Sequence, residues 1–152
     1  MKTGSPIALR PAGPEDESRI KKLVHNAHIN PTGLDWQRFI LATTAEGAVI
    51  GCGQIKPHRD GSSELASIVV EPDWRGQGVA RKIIEVLIAA HPGSLYLTCR
   101  GSLESFYTRF GFVRLSPEEM PPYFRRISRL VGLLDVFGLA QEGLRVMRRG
   151  LP

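Results

Sequence analysis

The chain has 152 residues, of which 42% are hydrophobic and 23% charged, the proportions of a globular domain rather than of a disordered or membrane-embedded one. No apolar run approaches the roughly 20 residues needed to span a bilayer, and the two cysteines, Cys52 and Cys99, lack the spacing of a disulfide framework or a zinc site. The net charge of +5 comes from 20 Lys+Arg against 15 Asp+Glu, with a local arginine excess between Arg109 and Arg149. That excess suits an anionic ligand or acidic partner as well as nucleic acid, but no RNA motif, zinc-finger spacing or aromatic-basic interleaving supports the latter.

The opening, MKTGSPIALRPAGPEDE, has no apolar core of leader-peptide length and turns acidic at once, so a mature, cytoplasmic chain is expected. Ile7–Arg10 reads as a short strand. Pro14–Glu17 starts a helix with acids in its first turn, and Ile20, Leu23, Val24 and Ala27 follow at helical spacing. Asn30-Pro31-Thr32-Gly33 ends it. Arg38–Thr44, Ala48–Lys56 and Glu64–Glu71 then form a meander of three strands, the last two separated by the turn-rich Pro57-His58-Arg59-Asp60-Gly61, whose His58 reads as solvated.

Gly76–Ala90 predicts a helix with an inward stripe of Val79, Ile83, Val86, Leu87 and Ala90. A strand at Leu95–Thr98, a short helix at Ser102–Phe110, a helical segment from Tyr123 to about Leu139 and a last strand at Gly143–Arg149 complete the chain. The order favours an α/β (α+β) fold: one domain over residues 1–152, with a mixed sheet covered by helices and a helical insertion at about 120–139.

VVEPDWRGQGVARKII carries the chemistry. A strand that enters a glycine turn and then a helix leaves backbone N–H groups at the positive end of the helix dipole, which is an anion site. Gly76 and Gly78 remove Cβ atoms and permit left-handed backbone, while Arg75 adds a cation. The dinucleotide pattern GxGxxG fails at Arg81, and GxxxxGK[ST] is absent. The remaining pattern, [Q/R]xxGx[G/A] at Arg75, Gly78 and Ala80, resembles the acetyl-CoA loop of the GCN5-related N-acetyltransferase (GNAT) superfamily. FYTRFGF, similar to the family's FYxxxGF segment, reinforces the resemblance, as do the strand before the loop and the helix after it.

The resemblance implies a mixed, mostly antiparallel sheet of about six or seven strands and an acetyl-CoA-dependent N-acetyltransferase acting on a primary amine without metal. It assigns pyrophosphate to the main chain of Arg75, Gly76, Gln77, Gly78, Val79 and Ala80, and pantetheine to the backbone of Ile68, Val69 and Val70. The N–H of Val70 would stabilise the developing oxyanion. Relatives often place Asn and Ala where this chain has Gly101 and Glu104, so the side-chain contacts to pantetheine differ here.

Aminolysis of a thioester needs a base for the ammonium and an acid for the leaving thiolate. Glu64, on the strand before the loop, is the candidate base, with a solvated hairpin carboxylate as the other reading. Tyr107 is the candidate acid, although Leu103, Phe106, Tyr107 and Phe110 also form a core-like stripe. On the acceptor side, Asp35 offers a carboxylate and Trp36 a ring, or the pair is a helix cap with a packed indole. Tyr123 belongs to MPPYFRRISRL, which is either a lid whose arginines meet an anion or a solvated basic face.

His25 and His28, at i,i+3, find no third metal ligand, and Cys99 finds no partner for a covalent mechanism. The expected partner is a small-molecule or peptide amine, and a homodimer is compatible with the sequence. The alternative is a non-catalytic acyl-CoA-binding module whose basic C-terminal segment contacts another protein.

Overall fold

The apolar spacing of the first helix becomes its buried face. In this computed structural model, which describes residues 6–134 and 143–150, helix α1 spans Glu17–Asn26 and buries Ile20, Leu23 and Val24. Those three pack with Phe39, Leu41, Cys52 and Val69 into one hydrophobic cluster. A short 3₁₀ turn, Pro14–Asp16, leads into α1, and its Asp16 is held in a fork by Arg10, with Nη1 and Nη2 at 2.8 and 3.0 Å. The N–H of Gly13 donates to the same carboxylate at 2.8 Å.

The expected mixed sheet is present. Its strands are β1 Ala8–Pro11, β2 Phe39–Thr43, β3 Val49–Pro57, β4 Ser63–Val70, β5 Leu95–Arg100, β6 Val113–Arg114 and β7 Leu144–Arg149. Their hydrogen-bonded order is β1-β2-β3-β4-β5-β7-β6. The pairing β4–β5 is parallel, with Glu64 opposite Tyr96, whereas β1–β2, β2–β3, β5–β7 and β6–β7 are antiparallel. Two-residue β6 lies in a stretch that carries no strand signal of its own, because Val113 and Arg114 are too few to show a period.

The described residues group into two compact units. The first comprises the residues through Lys56 together with Leu65–Pro92, and the second comprises Pro57–Glu64 and the residues from Gly93 onward. In the first, helix α2 spans Val79–Ala90 and buries Val79, Ile83, Ile84 and Leu87. The expected stripe is therefore rotated: Val86 is exposed, as is Ala90, and Ile84 takes the inward place. Under the inward face β3 presents glycines, which lets Val79, Ile83 and Leu87 approach closely. A Cβ on Gly53 would lie 2.6 Å from Ile68 Cδ1 and 2.8 Å from Ile83 Cγ2.

Also in the first unit, two buried side chains of β3 reach the loop after α1. Lys56 donates from Nζ to the carbonyl of Thr32 at 3.0 Å, and Gln54 from Nε2 to that of Gly33 at 3.2 Å. Gly33 has φ +66, and a Cβ there would collide with Lys56 Cε.

In the second unit, helix α3 spans Glu104–Thr108 and α4 spans Pro122–Leu134. Phe124 of α4 is fully buried in a cluster with Tyr96, Leu115, Met120 and Val146, and Tyr123 packs against it. The rest of the helical segment expected as far as Leu139 lies outside the described residues. No helix among the described residues is long and apolar enough to cross a membrane.

Candidate active site

The anion loop is built from strand β4 outward. Glu71 pairs with Arg19 at 2.7 Å and donates its N–H to the Ile50 carbonyl at 2.8 Å, which fixes where the strand ends. Pro72–Trp74 then turns as a 3₁₀ element with Trp74 buried. Gly76 and Gly78 adopt φ +77 and +81, so both take the left-handed backbone expected of them. Gly78 is the N-cap of α2 and supplies no capping side chain, so the first turn of the helix presents its N–H groups without a side-chain acceptor. A Cβ at Gly76 or Gly78 would meet nothing within 4 Å, which leaves open space over the loop.

Within the same unit, Arg75 is exposed and its Nε donates to the carbonyl of Val70 at 3.1 Å, joining the loop to the strand. Val79 is buried and anchors α2, so it can offer a ligand only main-chain atoms, while Gln77 reaches Asp73 O at 3.3 Å. Strand β4 departs from the strict alternation that would set Glu64, Ala66, Ile68 and Val70 on one face. Ser67 has φ +59, a conformation costly for a residue with a side chain, and the neighbours Val69 and Val70 are both buried. Ser67 is held by Gln54, whose Nε2 donates to its Oγ at 2.9 Å, and by the Cys52 thiol, 3.4 Å from its carbonyl.

Glu64 and Tyr123 come together in the second unit around a residue that the sequence places in solvent. The His58 side chain is 8% exposed and the Glu64 side chain 11%, and His58 Nε2 lies 2.8 Å from Glu64 Oε1. Tyr123 stacks on the imidazole with ring centroids 3.5 Å apart and planes 18° apart, and Phe124 meets it edge-on at 5.6 Å. His58 is therefore not a solvated loop residue, and Glu64 is not an exposed hairpin carboxylate. The usable signal is the Asp60-Gly61 turn, where His58 N–H bonds the Ser62 carbonyl at 2.9 Å and returns the chain toward Glu64.

Asp60 braces the cluster by accepting from Ser62 N–H at 2.9 Å and from Tyr123 N–H at 3.0 Å. Its burial raises the carboxyl pKa, but these hydrogen bonds offset it and hold the group below the usual carboxylate range. The Tyr123 hydroxyl is pushed upward by burial and then by the nearby charge of Glu64.

Tyr107 packs edge-to-face on Phe106 and Phe112, at 5.0 and 6.1 Å. Burial, with a contribution from Cys99, pushes its pKa up to about 12, so the phenol keeps its proton at neutral pH. Of its predicted stripe, Leu103 is exposed at 44%. Burial, followed by the charge of Glu104, lifts the Cys99 thiol to about 11, which makes it a poor nucleophile. The two positions that depart from the family pattern have structural partners: Gly101 N–H donates to Gly143 O at 3.2 Å, and Glu104 accepts from Arg145 at 3.2 Å.

Asp35 caps the 3₁₀ turn Trp36–Arg38 through Gln37 N–H at 3.1 Å, and Trp36 packs against the cluster around α1. Arg125 is spent on the carbonyls of Pro117 and Met120, while Arg126 and Arg129 are exposed. His25 lies in the last turn of α1, but His28 follows the helix with φ +55, so the two do not share a helical face. Among the described residues no group of three His, Cys, Asp or Glu side chains is arranged to hold a metal.

The fold is shared with solved acetyltransferases. N-acetylglutamate synthase from Neisseria gonorrhoeae, complexed with coenzyme A and N-acetyl-glutamate, superposes with a TM-score of 0.75 at 16% identity over 97% of this chain. This chain spans only 35% of that one. Rv2747 from Mycobacterium tuberculosis, solved in complex with CoA, gives 0.70 at 21% identity over 95% of this chain and 99% of the other. An acetyltransferase of the GNAT family from Staphylococcus aureus Mu50 gives 0.69 at 14% identity, with coverage of 97% and 100%. A comparison with the curated proteins returned no significant match. The acetyltransferase (GNAT) domain model matches residues 35–114, more than half of the sequence, from the Asp35 cap through the glycine loop to β6. The chain belongs to the GNAT acetyltransferase family.

Proposed function

We propose that the chain is an acetyl-CoA-dependent N-acetyltransferase that passes the acetyl group directly to a primary amine. The observation that carries this reading is the paired left-handed glycines, Gly76 and Gly78, opening a helix whose first turn has no side-chain cap. Such a turn fits a diphosphate, because oriented N–H groups and the helix dipole act on the same anion. Ile68, Val69 and Val70 would pair with pantetheine through the main chain, with Val70 N–H at the thioester oxygen.

Glu64 is the proposed base. An amine of pKa roughly 8–10.4 arrives protonated at neutral pH and needs an acceptor for its proton. Tyr107 is the proposed acid, half-buried and protonated at neutral pH. The nitrogen–carbon bond forms as the carbon–sulfur bond breaks; the amine proton passes to Glu64, directly or through water, and the thiolate takes its proton from Tyr107. The acceptor class we favour is a free α-amino acid or peptide N-terminus, supported by the fold shared with an N-acetylglutamate synthase. Tyr123, stacked beside the Glu64 cluster, is the better candidate for the acceptor side, since Asp35 is engaged as a cap. The buried free thiols Cys52 and Cys99 suit a reducing, cytoplasmic location.

Thiol release from acetyl-CoA over a panel of free amino acids and short peptides tests the reading. Amine-dependent release supports it. Calorimetric CoA binding with no release across the panel would favour a non-catalytic acyl-CoA-binding module, and no binding of CoA would remove both.

A further inference from the structure

We infer that His58 is the positioning residue for Glu64, so that acceptor deprotonation depends on an imidazole–carboxylate pair rather than on a lone carboxylate. The inference deepens the proposed function and rests on its reading of Glu64 as base. A nearly buried carboxylate must satisfy its oxygens or lose its charge. Here His58 Nε2 sits 2.8 Å from Oε1, which occupies that oxygen and fixes the carboxylate. The imidazole is itself fixed: Tyr123 covers one face at 3.5 Å, Phe124 closes an edge at 5.6 Å, and the Asp60-Gly61 turn sets its backbone.

Three variants test this. His58→Phe keeps an aromatic ring against Tyr123 but has no donor, and its kcat is expected to fall roughly 10–100-fold with KM for acetyl-CoA unchanged. His58→Gln restores an N–H donor, and its kcat should return to within about tenfold of wild type. Glu64→Gln should be inactive.

A Glu64→Gln variant with wild-type activity would overturn the base reading and this inference together. An inactive Glu64→Gln beside a His58→Phe with wild-type kcat would overturn the inference alone. Should thermal melting show His58→Phe unfolded, His58→Gln decides, and a folded His58→Gln whose kcat falls as far as that of Glu64→Gln would overturn the inference.

Discussion

Arg75 turns back on its own strand, donating from Nε to the carbonyl of Val70 at 3.1 Å. The same side chain thus sets the direction in which the glycine loop leaves β4 and brings a positive charge to its mouth. Arg75→Ala removes both effects, and CoA affinity should weaken by about tenfold or more, about 1.4 kcal/mol or above. Arg75→Lys keeps only the charge and should fall between. Calorimetry at two salt concentrations separates the contributions, since only the charge is screened.

Gly76→Ala and Gly78→Ala probe the loop without crowding it, because a Cβ at either place meets open space. The fold should lose only the left-handed strain, about 1–2 kcal/mol per site. CoA binding should suffer out of proportion, since relaxing that strain would redirect the N–H groups. Melting curves and calorimetry on the same samples check this; equal losses in both would assign the glycines to folding alone.

Tyr107→Phe keeps the ring packed on Phe106 and Phe112 and deletes the hydroxyl. We expect kcat to drop tens-fold or more with CoA affinity unchanged. Because the Tyr107 pKa is about 12, its ionisation should produce no alkaline limb in the wild-type rate profile below about pH 11. Linkage gives a second readout: the unfolded phenol ionises near pH ~10, so stability is fully present below that pH and falls as pH rises through the folded value. Alkaline melts of wild type and Tyr107→Phe should therefore diverge above about pH 10.

Asp16 is the corresponding acid-side group. Its pKa is lowered, chiefly by the Arg10 hydrogen bonds, so its contribution is present above the unfolded carboxylate value of about 3.9 and fades as pH falls through the folded one. Asp16→Asn should cost about 1.5–3 kcal/mol at pH 7. That difference should shrink below about pH 4, which a series of acid melts would show.

The sequence made the order of elements and the glycine loop legible because both rest on local signals, periodicity and Gly/Pro punctuation. Helix α1 was readable residue by residue from Ile20, Leu23 and Val24. The stripe on α2 was not, since Ile84 and Val86 are both apolar and tertiary packing, not spacing, turns Ile84 inward. Ser67 breaks the alternation of β4 through backbone geometry held by Gln54 and Cys52, partners distant in sequence. The His58 cluster was hidden for the same reason: the stack with Tyr123 joins residues far apart in the chain, and the local Asp60-Gly61 turn signals only the reversal toward Glu64.

Gly33 is constrained from two sides. Its φ of +66 strains any residue with a side chain, and a Cβ there would also have to displace the end of Lys56. A shorter residue at 56 relieves only the second of these and releases the Thr32 carbonyl. Homologues should therefore keep glycine at 33 whatever stands at 56, and a survey of their sequences offers a test that needs no assay.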